Sequence, residues 1–226
     1  NVEWYADYQE MLRREDVDAV TICTPHFLHA PMALKAMEYG KHVLVEKPMA
    51  TSVMEADQMI NMARGEDMKL GVVYQYRFHP VYEGIKRIIK DGELGPILRV
   101  CLEACTFRTQ AYYNSDPWRG KWATEGGGVL INQTIHNLDL LQWLVGKPSK
   151  LQGWISTMLH KIDVEDIASS AIIFENGAHG IVQVSTVDAV PTDRLEIYGE
   201  KAKIIHEGEE FRLGQLEKSA REYVSE

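Results

Sequence analysis

The sequence predicts an α/β unit with a parallel sheet, followed by an α+β unit with an open, mostly antiparallel sheet. Three observations lead there. Residues 18–23, 43–45 and 70–74 are short apolar runs without polar alternation, which reads as strands buried on both faces. Helical patterns separate these runs at the spacing of βαβ crossovers. Beyond residues 92–95 the grammar changes to longer strand candidates joined by hairpin signals, with Glu175-Asn176-Gly177 the strongest.

The totals fit a globular chain. Of 226 residues, 45% are hydrophobic and 25% charged, which excludes a disordered composition. No apolar run approaches the roughly 20 residues of a membrane span, and the first residues do not resemble a secretory signal, so the expected location is cytoplasmic. A formal charge of -9 argues against nucleic-acid or membrane partners, although a local basic pocket could still hold a phosphate. Cys23, Cys101 and Cys105 are odd in number and lack CxxC spacing, so they are expected as core thiols, with neither a disulfide framework nor structural zinc. The eight histidines form no HExxH pattern, and no metal is expected.

Asp7 is placed to cap a short helix, and the first buried strand then closes at Thr24-Pro25. Pro31 sits in the first turn of the next helix and Gly40 where its C-terminal cap belongs. The following strand, His42-Val43-Leu44-Val45, delivers Glu46, Lys47 and Pro48 to the carboxyl edge of the sheet, where open α/β sheets bind ligands. A lysine there suits proton transfer once burial or a neighbour lowers its pKa, although a solvated strand end has the same sequence. Ser52 and Glu55 form a capping box for a third helix. After Pro80 a helix carries Val81, Ile85, Ile88 and Ile89 on one side and stops at Asp91-Gly92.

A dinucleotide-binding (Rossmann-like) sheet is therefore expected over residues 1–93, and a substrate-binding and oligomerisation domain over 94–226. The GxGxxG fingerprint with its acidic residue about 20 positions on is not found. The chain opens as if in mid-fold, and a βαβ unit of about 30 residues is expected upstream. In the second half, residues 97–107, 151–159, 167–174, 179–187 and 194–205 read as strands and 211–226 as a helix. Ile181, Val182 and Val184 are expected on the open sheet face.

Between the first two of these strands lie Trp118-Arg119, three glycines at 126–128 and a helix expected from about Leu130 to Val145. Asn132, His136, Asp139 and Trp143 then fall on one stripe, at spacings of four, three and four. That stripe carries no Lys, Arg or Glu, so it is read as facing a site rather than bulk water.

The run GGGVLINQTIHNLDLLQWL, together with TPHFLHAPMALKAMEYGKHVLVEKP, resembles the Gfo/Idh/MocA family of oxidoreductases, named for glucose-fructose oxidoreductase and inositol dehydrogenase. The resemblance spans essentially the whole chain, specifies family well and substrate poorly, and implies the two-part fold described above. It implies that Lys47 is the EKP-motif lysine near the nicotinamide and the reacting hydroxyl, and that His136 is the active-site histidine. Asn132 stands where the family motif commonly has aspartate, and it can hydrogen-bond a sugar hydroxyl but cannot take a proton. The resemblance further implies that NAD or NADP is lined by Thr24, Pro25, His26, His29, Glu46, Lys47, Pro48, Gln75, Arg77, Trp118 and Arg119. Tyr112 reads either as a stacking surface for a sugar or as packing.

The expected activity is NAD(P)-dependent transfer of a hydride between the nicotinamide and a hydroxyl or carbonyl carbon of a sugar, cyclitol or related polyol. His136 is expected as base and Lys47 as oxyanion donor, roles that could be exchanged. Two alternatives remain at this stage: an NAD-dependent glycosidase using transient oxidation, and a non-catalytic, truncated interaction module. A homo-oligomer, dimer or tetramer, is expected through the open sheet face.

Overall fold

A computed structural model describes residues 3–226. By contacts the chain divides into two compact units, one running to Val73 and including Trp118–Gly127, the other formed by Tyr74–Pro117 and Gly128–Glu226. Residues 74–93, grouped by the sequence with the first half, thus pack in the second unit. The reason is apolar: Tyr82, Ile85 and Leu94 are buried in the second core.

The first unit alternates helix and strand. It contains α1 (Tyr8–Leu12), β1 (Ala19–Ile22), α2 (His29–Glu38), β2 (His42–Val45), α3 (Val53–Gly65) and β3 (Leu70–Val72). The strands are parallel in the order β1-β2-β3, with Val20 opposite Val43 and Val43 opposite Leu70. The caps form as expected: Asp7 accepts from the Gln9 N–H, and Ser52 from the Glu55 N–H. Small residues Ala30, Ala33 and Ala36 let α2 approach the sheet, where they pack with Ile22, Met37, Val43, Val45 and Met59. The expectation of strands buried on both faces is corrected here. The buried side chains Val43 and Val45 share one face, whereas Leu44, on the other, remains 44% exposed. Cys23 is exposed rather than a core thiol, because it follows the last residue of β1, and Cys101 and Cys105 are half-buried.

The second unit begins with α4 (Pro80–Lys90), β4 (Ile97–Phe107) and α5 (Gln110–Asn114). After α6 (Trp122–Glu125), which belongs to the first unit, come α7 (Ile135–Val145), β5 (Pro148–Ser156), β6 (Ile167–Phe174), β7 (His179–Ser185), β8 (Val187–Gly199), β9 (Ala202–Glu207), β10 (Glu210–Gln215) and α8 (Ala220–Ser225). The seven strands lie in the order β10-β9-β8-β4-β7-β6-β5, and all pairs are antiparallel except β4 with β7. Helices α4 and α7 contribute Ile85, Leu140, Leu141 and Leu144 to the core beneath Val100, Val182 and Ile197.

Four details differ from the sequence reading. Val182 and Val184 face the core at 2% and 0% exposure, and only Ile181, at 61%, faces away, as the two-residue period of a strand requires. Residues 194–205, read as one strand, fall into two, β8 and β9, which turn at Gly199-Glu200-Lys201, a weaker hairpin signal in the sequence. Residues 211–215 form β10, not helix, because Gly208, at φ +71°, turns the chain back along β9 with Phe211 opposite His206. Finally, α7 starts at Ile135, so Asn132 precedes the helix instead of lying on it.

The loop before α7 is anchored by Glu165. The Glu165 carboxylate accepts from Gly128 N–H at 2.9 Å and Leu130 N–H at 3.1 Å, while its carbonyl accepts from Val129 N–H at 3.0 Å. A Cβ on Gly128 would lie 1.8 Å from the Glu165 carbonyl oxygen. Gly128→Ala should therefore destabilise the second unit by about 3 kcal/mol or more. Gly177→Ala, at φ +84° in open space, should cost about 1 kcal/mol through its backbone alone. Urea denaturation of both variants checks the ranking, and equal losses would remove the close approach from the account.

Candidate functional site

In the first unit, β1 and β2 end side by side and carry Thr24-Pro25 and Glu46-Lys47-Pro48 past the same sheet edge. His29 ties these two loops together. Its ring is fully buried, with Nδ1 2.7 Å from the Pro48 carbonyl and Nε2 2.8 Å from the Thr24 carbonyl. Both nitrogens are thereby committed, so His29 braces the loops and offers no ring atom to a ligand, which corrects its expected role as a direct contact.

The segment that carries Trp118 and Arg119 packs in this unit despite its distance in sequence. His26 Nδ1 donates to the Glu125 carbonyl at 2.9 Å, and its ring lies 4.8 Å from that of Trp118. The Arg119 guanidinium sits 4.5 Å from the Trp118 ring centre. Glu125 is buried and accepts from Gly120 N–H. Burial holds the Lys47 ammonium below its ordinary pKa; Glu46 and Glu125 oppose that shift and Arg119 adds to it. The Thr24 hydroxyl oxygen is buried with no hydrogen-bond partner among the described residues. An orphaned hydroxyl after β1 and a desolvated lysine after β2, both at the carboxyl edge of a parallel sheet, fit the polar requirements of a nucleotide cofactor.

In the second unit, His136 lies in the first turn of α7 at 8% exposure. Tyr76 packs against its ring at a centroid distance of 4.9 Å, and Tyr74 meets it edge-on at 6.0 Å. Asn132 donates to the Tyr112 hydroxyl at 3.3 Å, and Gln133 donates to the same oxygen at 3.2 Å. Tyr112 is thus tied to the loop before α7, and Asn132 remains close to its expected neighbourhood without being helical. Arg77, expected to line a cofactor, instead pairs with the Asp139 carboxylate through Nε at 2.7 Å and a second nitrogen at 2.5 Å. Gln75, in the same 3-10 turn, is exposed.

The sequence reading missed four contributors. Tyr74 and Tyr76 follow a strand end that carried no charge or glycine signal. Glu125 and Glu165 looked like surface carboxylates but are 1% and 3% exposed. Only the glycines that follow Glu125 offered a signal, and Glu165 has none beside it.

Burial also depresses the His26 ring, to about pH 4 against the ordinary 6.5, because desolvation outweighs its bond to the Glu125 carbonyl. The folded state then resists a proton that the unfolded chain accepts. Stability is unaffected above pH 6.5 and falls as pH drops toward 4, by roughly 3 kcal/mol. Chemical denaturation at pH 7 and pH 4.5 should show that loss in the native chain and less of it in His26→Gln. An undiminished loss in that variant would exclude His26 as its source.

Comparison with known proteins gives two adjoining matches. Residues 1–74 match the oxidoreductase family with an NAD-binding Rossmann fold, and residues 82–205 match the GFO/IDH/MocA C-terminal domain. Scyllo-inositol 2-dehydrogenase (NAD(+)) of Bacillus subtilis is 30% identical over 208 residues, covering 89% of this chain and 58% of that protein. Levoglucosan dehydrogenase of Pseudarthrobacter phenanthrenivorans is 28% identical over 210 residues, covering 80% and 52%. A crystal structure of the WlbA dehydrogenase from Bordetella pertussis, in complex with NADH and UDP-GlcNAcA, superposes with a TM-score of 0.90 at 29% identity, covering 96% of this chain and 64% of that one. The chain spans just over half the length of the curated relatives it matches. With both halves matched in order, the chain belongs to the Gfo/Idh/MocA family of oxidoreductases, joining its NAD-binding Rossmann portion to its C-terminal domain.

Proposed function

We propose that this chain is the greater part of an NAD-dependent dehydrogenase acting on a CH–OH group of a sugar, cyclitol or related polyol. The observation that supports this most is the carboxyl edge of the parallel sheet, where a desolvated Lys47 ammonium follows β2 and an unpartnered Thr24 hydroxyl follows β1. Thr24, Pro25, His26, Trp118 and Arg119 would hold the cofactor, and the NADH complexes of relatives favour NAD over NADP. When bound, the nicotinamide supplies the two-electron exchange with the carbinol carbon.

The residues of the chain manage the proton. His136 takes the substrate hydroxyl proton onto a ring nitrogen, since imidazole is basic near neutral pH. Lys47, in the first unit, is assigned as the hydrogen-bond donor for developing negative charge. Asn132 offers an amide to a neighbouring hydroxyl and moves no proton. Arg77 and Asp139 neutralise each other one turn along α7 and keep a stray charge away from the His136 ring. Association of copies through the sheet face that bears Trp154 and Ile181, exposed at 66% and 61%, completes the reading.

Titration of the protein with NADH and NADPH, followed by Trp fluorescence, tests the first step. NADH should bind, and absence of binding by either cofactor overturns the proposal. Lys47→Met and His136→Asn should each lower kcat/KM on a polyol by about 10²–10⁴-fold while changing NADH affinity only a few fold. A variant that keeps its turnover removes that residue from the mechanism. In sedimentation velocity Ile181→Glu should shift the protein toward monomer, and an unchanged oligomer would place the interface elsewhere.

A further inference from the structure

Beside His136, within the second unit, lies a polar cavity of about 230 Å³ that the proposed chemistry does not use. Tyr76, Arg108, Gln133, Asn137, Thr192 and Asp193 line it. Tyr76 belongs to both places, because its ring packs against His136 at 4.9 Å and also borders the cavity. An occupant of the cavity therefore shares Tyr76 as a neighbour with His136.

The polar atoms of the cavity are mostly acceptors. Gln133 spends its amide N–H on the Tyr112 hydroxyl, which leaves its Oε1 buried with no partner among the described residues. Asn137 Nδ2 donates to one oxygen of Asp193 at 3.3 Å, and the second carboxylate oxygen takes no part in that bond. Arg108, the one cation in the lining, donates to the Phe107 carbonyl and lies 5.3 Å from the centre of the Tyr112 ring. The buried Gln133 oxygen calls for an O–H or N–H donor, and leaving it unmatched costs about 1–3 kcal/mol, whereas Asp193 is exposed. A carboxylate or phosphate brought here would instead meet Asp193 and the Gln133 oxygen. The volume is below the roughly 300–1,000 Å³ of a whole drug-sized ligand site, so it suits one ring or one polyol arm.

We propose that this cavity is a second, hydroxyl-donor subsite that takes an uncharged hydroxylated ring or arm attached to the ring addressed by His136. The preferred substrate is then a neutral disaccharide or glycoside rather than a lone hexose or a uronate. This deepens the polyol reading and rests on it. The specificity determinants are Gln133 and Asp193, which act on the substrate without touching the reacting carbon.

The test is ligand-observed NMR on the protein without cofactor, using glucose, galactose, maltose, cellobiose, lactose, methyl glucosides and glucuronate as probes. At least one neutral disaccharide or methyl glucoside should bind about tenfold or more tightly than its parent hexose. Gln133→Leu should erase that margin. Asp193→Asn should improve glucuronate binding, a change that a merely structural role would not produce. Thermal melts confirm that both variants fold. No margin in the native protein, or a margin that survives Gln133→Leu, overturns the subsite. Turnover with NAD is scored separately: oxidation of hexoses without a disaccharide margin sinks the subsite alone. Absence of any oxidation sinks the dehydrogenase reading while the binding data still decide the subsite.

Discussion

Two neighbouring carboxylates, Glu165 and Asp166, hold the second unit in its working shape. They are 3% and 0% exposed, a placement tolerable only where N–H donors surround each group. Glu165 gathers the backbone N–H groups of Gly128 and Leu130. Asp166 gathers those of Met158, Leu159 and His160 at 2.7–3.0 Å, and the His160 ring as well. Burial alone would raise the Asp166 carboxyl, but these donors outweigh it and hold the group below its usual pKa. His160 in turn donates to the Arg108 carbonyl at 2.8 Å, and Thr186 N–H to the Asp166 carbonyl at 2.8 Å. One dipeptide thereby sets the entry to α7, the loop after β5 and the ends of β4 and β7, the elements that frame His136 and the polar cavity beside it.

How much of this was legible follows from where each signal resides. The parallel strands of the first unit and the caps of α1 and α3 depend on neighbours within a few residues, so pattern and turn chemistry revealed them. The start of α7 did not, because the loop before it is anchored by Glu165, some 35 residues downstream, and Thr134 N–H bonds the Val129 carbonyl out of α-helical register. The stripe from His136 to Trp143 was legible as a stripe, but Arg77, the partner of Asp139, arrives from before α4. β10 was hidden for a related reason. Phe211 and Leu213 do alternate, but the charged residues among them also suit a helix, and pairing with β9 decides between the two.

The candidate site shows the same division. Lys47 and His136 were visible because residue type and local position coincide there. The roles of His29 and Glu125 were not, since both are set by backbone carbonyl and N–H groups brought from other loops. His29 is instructive: a histidine between two binding loops invites a ligand role, and two carbonyl oxygens within 2.8 Å of its nitrogens make it a fastening instead. Thr24 and Gln133 differ in that each keeps one buried polar atom without a partner among the described residues.

The first unit is discontinuous, since Trp118–Gly127 returns to it after the chain has left at Val73. During synthesis its sheet can assemble early from local crossovers, but the Trp118–Gly127 segment that packs with it emerges only after β4 and α5. β4, in turn, must wait for β7 and β8, some 80 residues later, before either of its edges is paired. Long-range pairing of this kind slows folding and leaves an apolar strand uncovered on the ribosome. The order of emergence thus makes completion of the first unit a late event, one that overlaps with folding of the second unit.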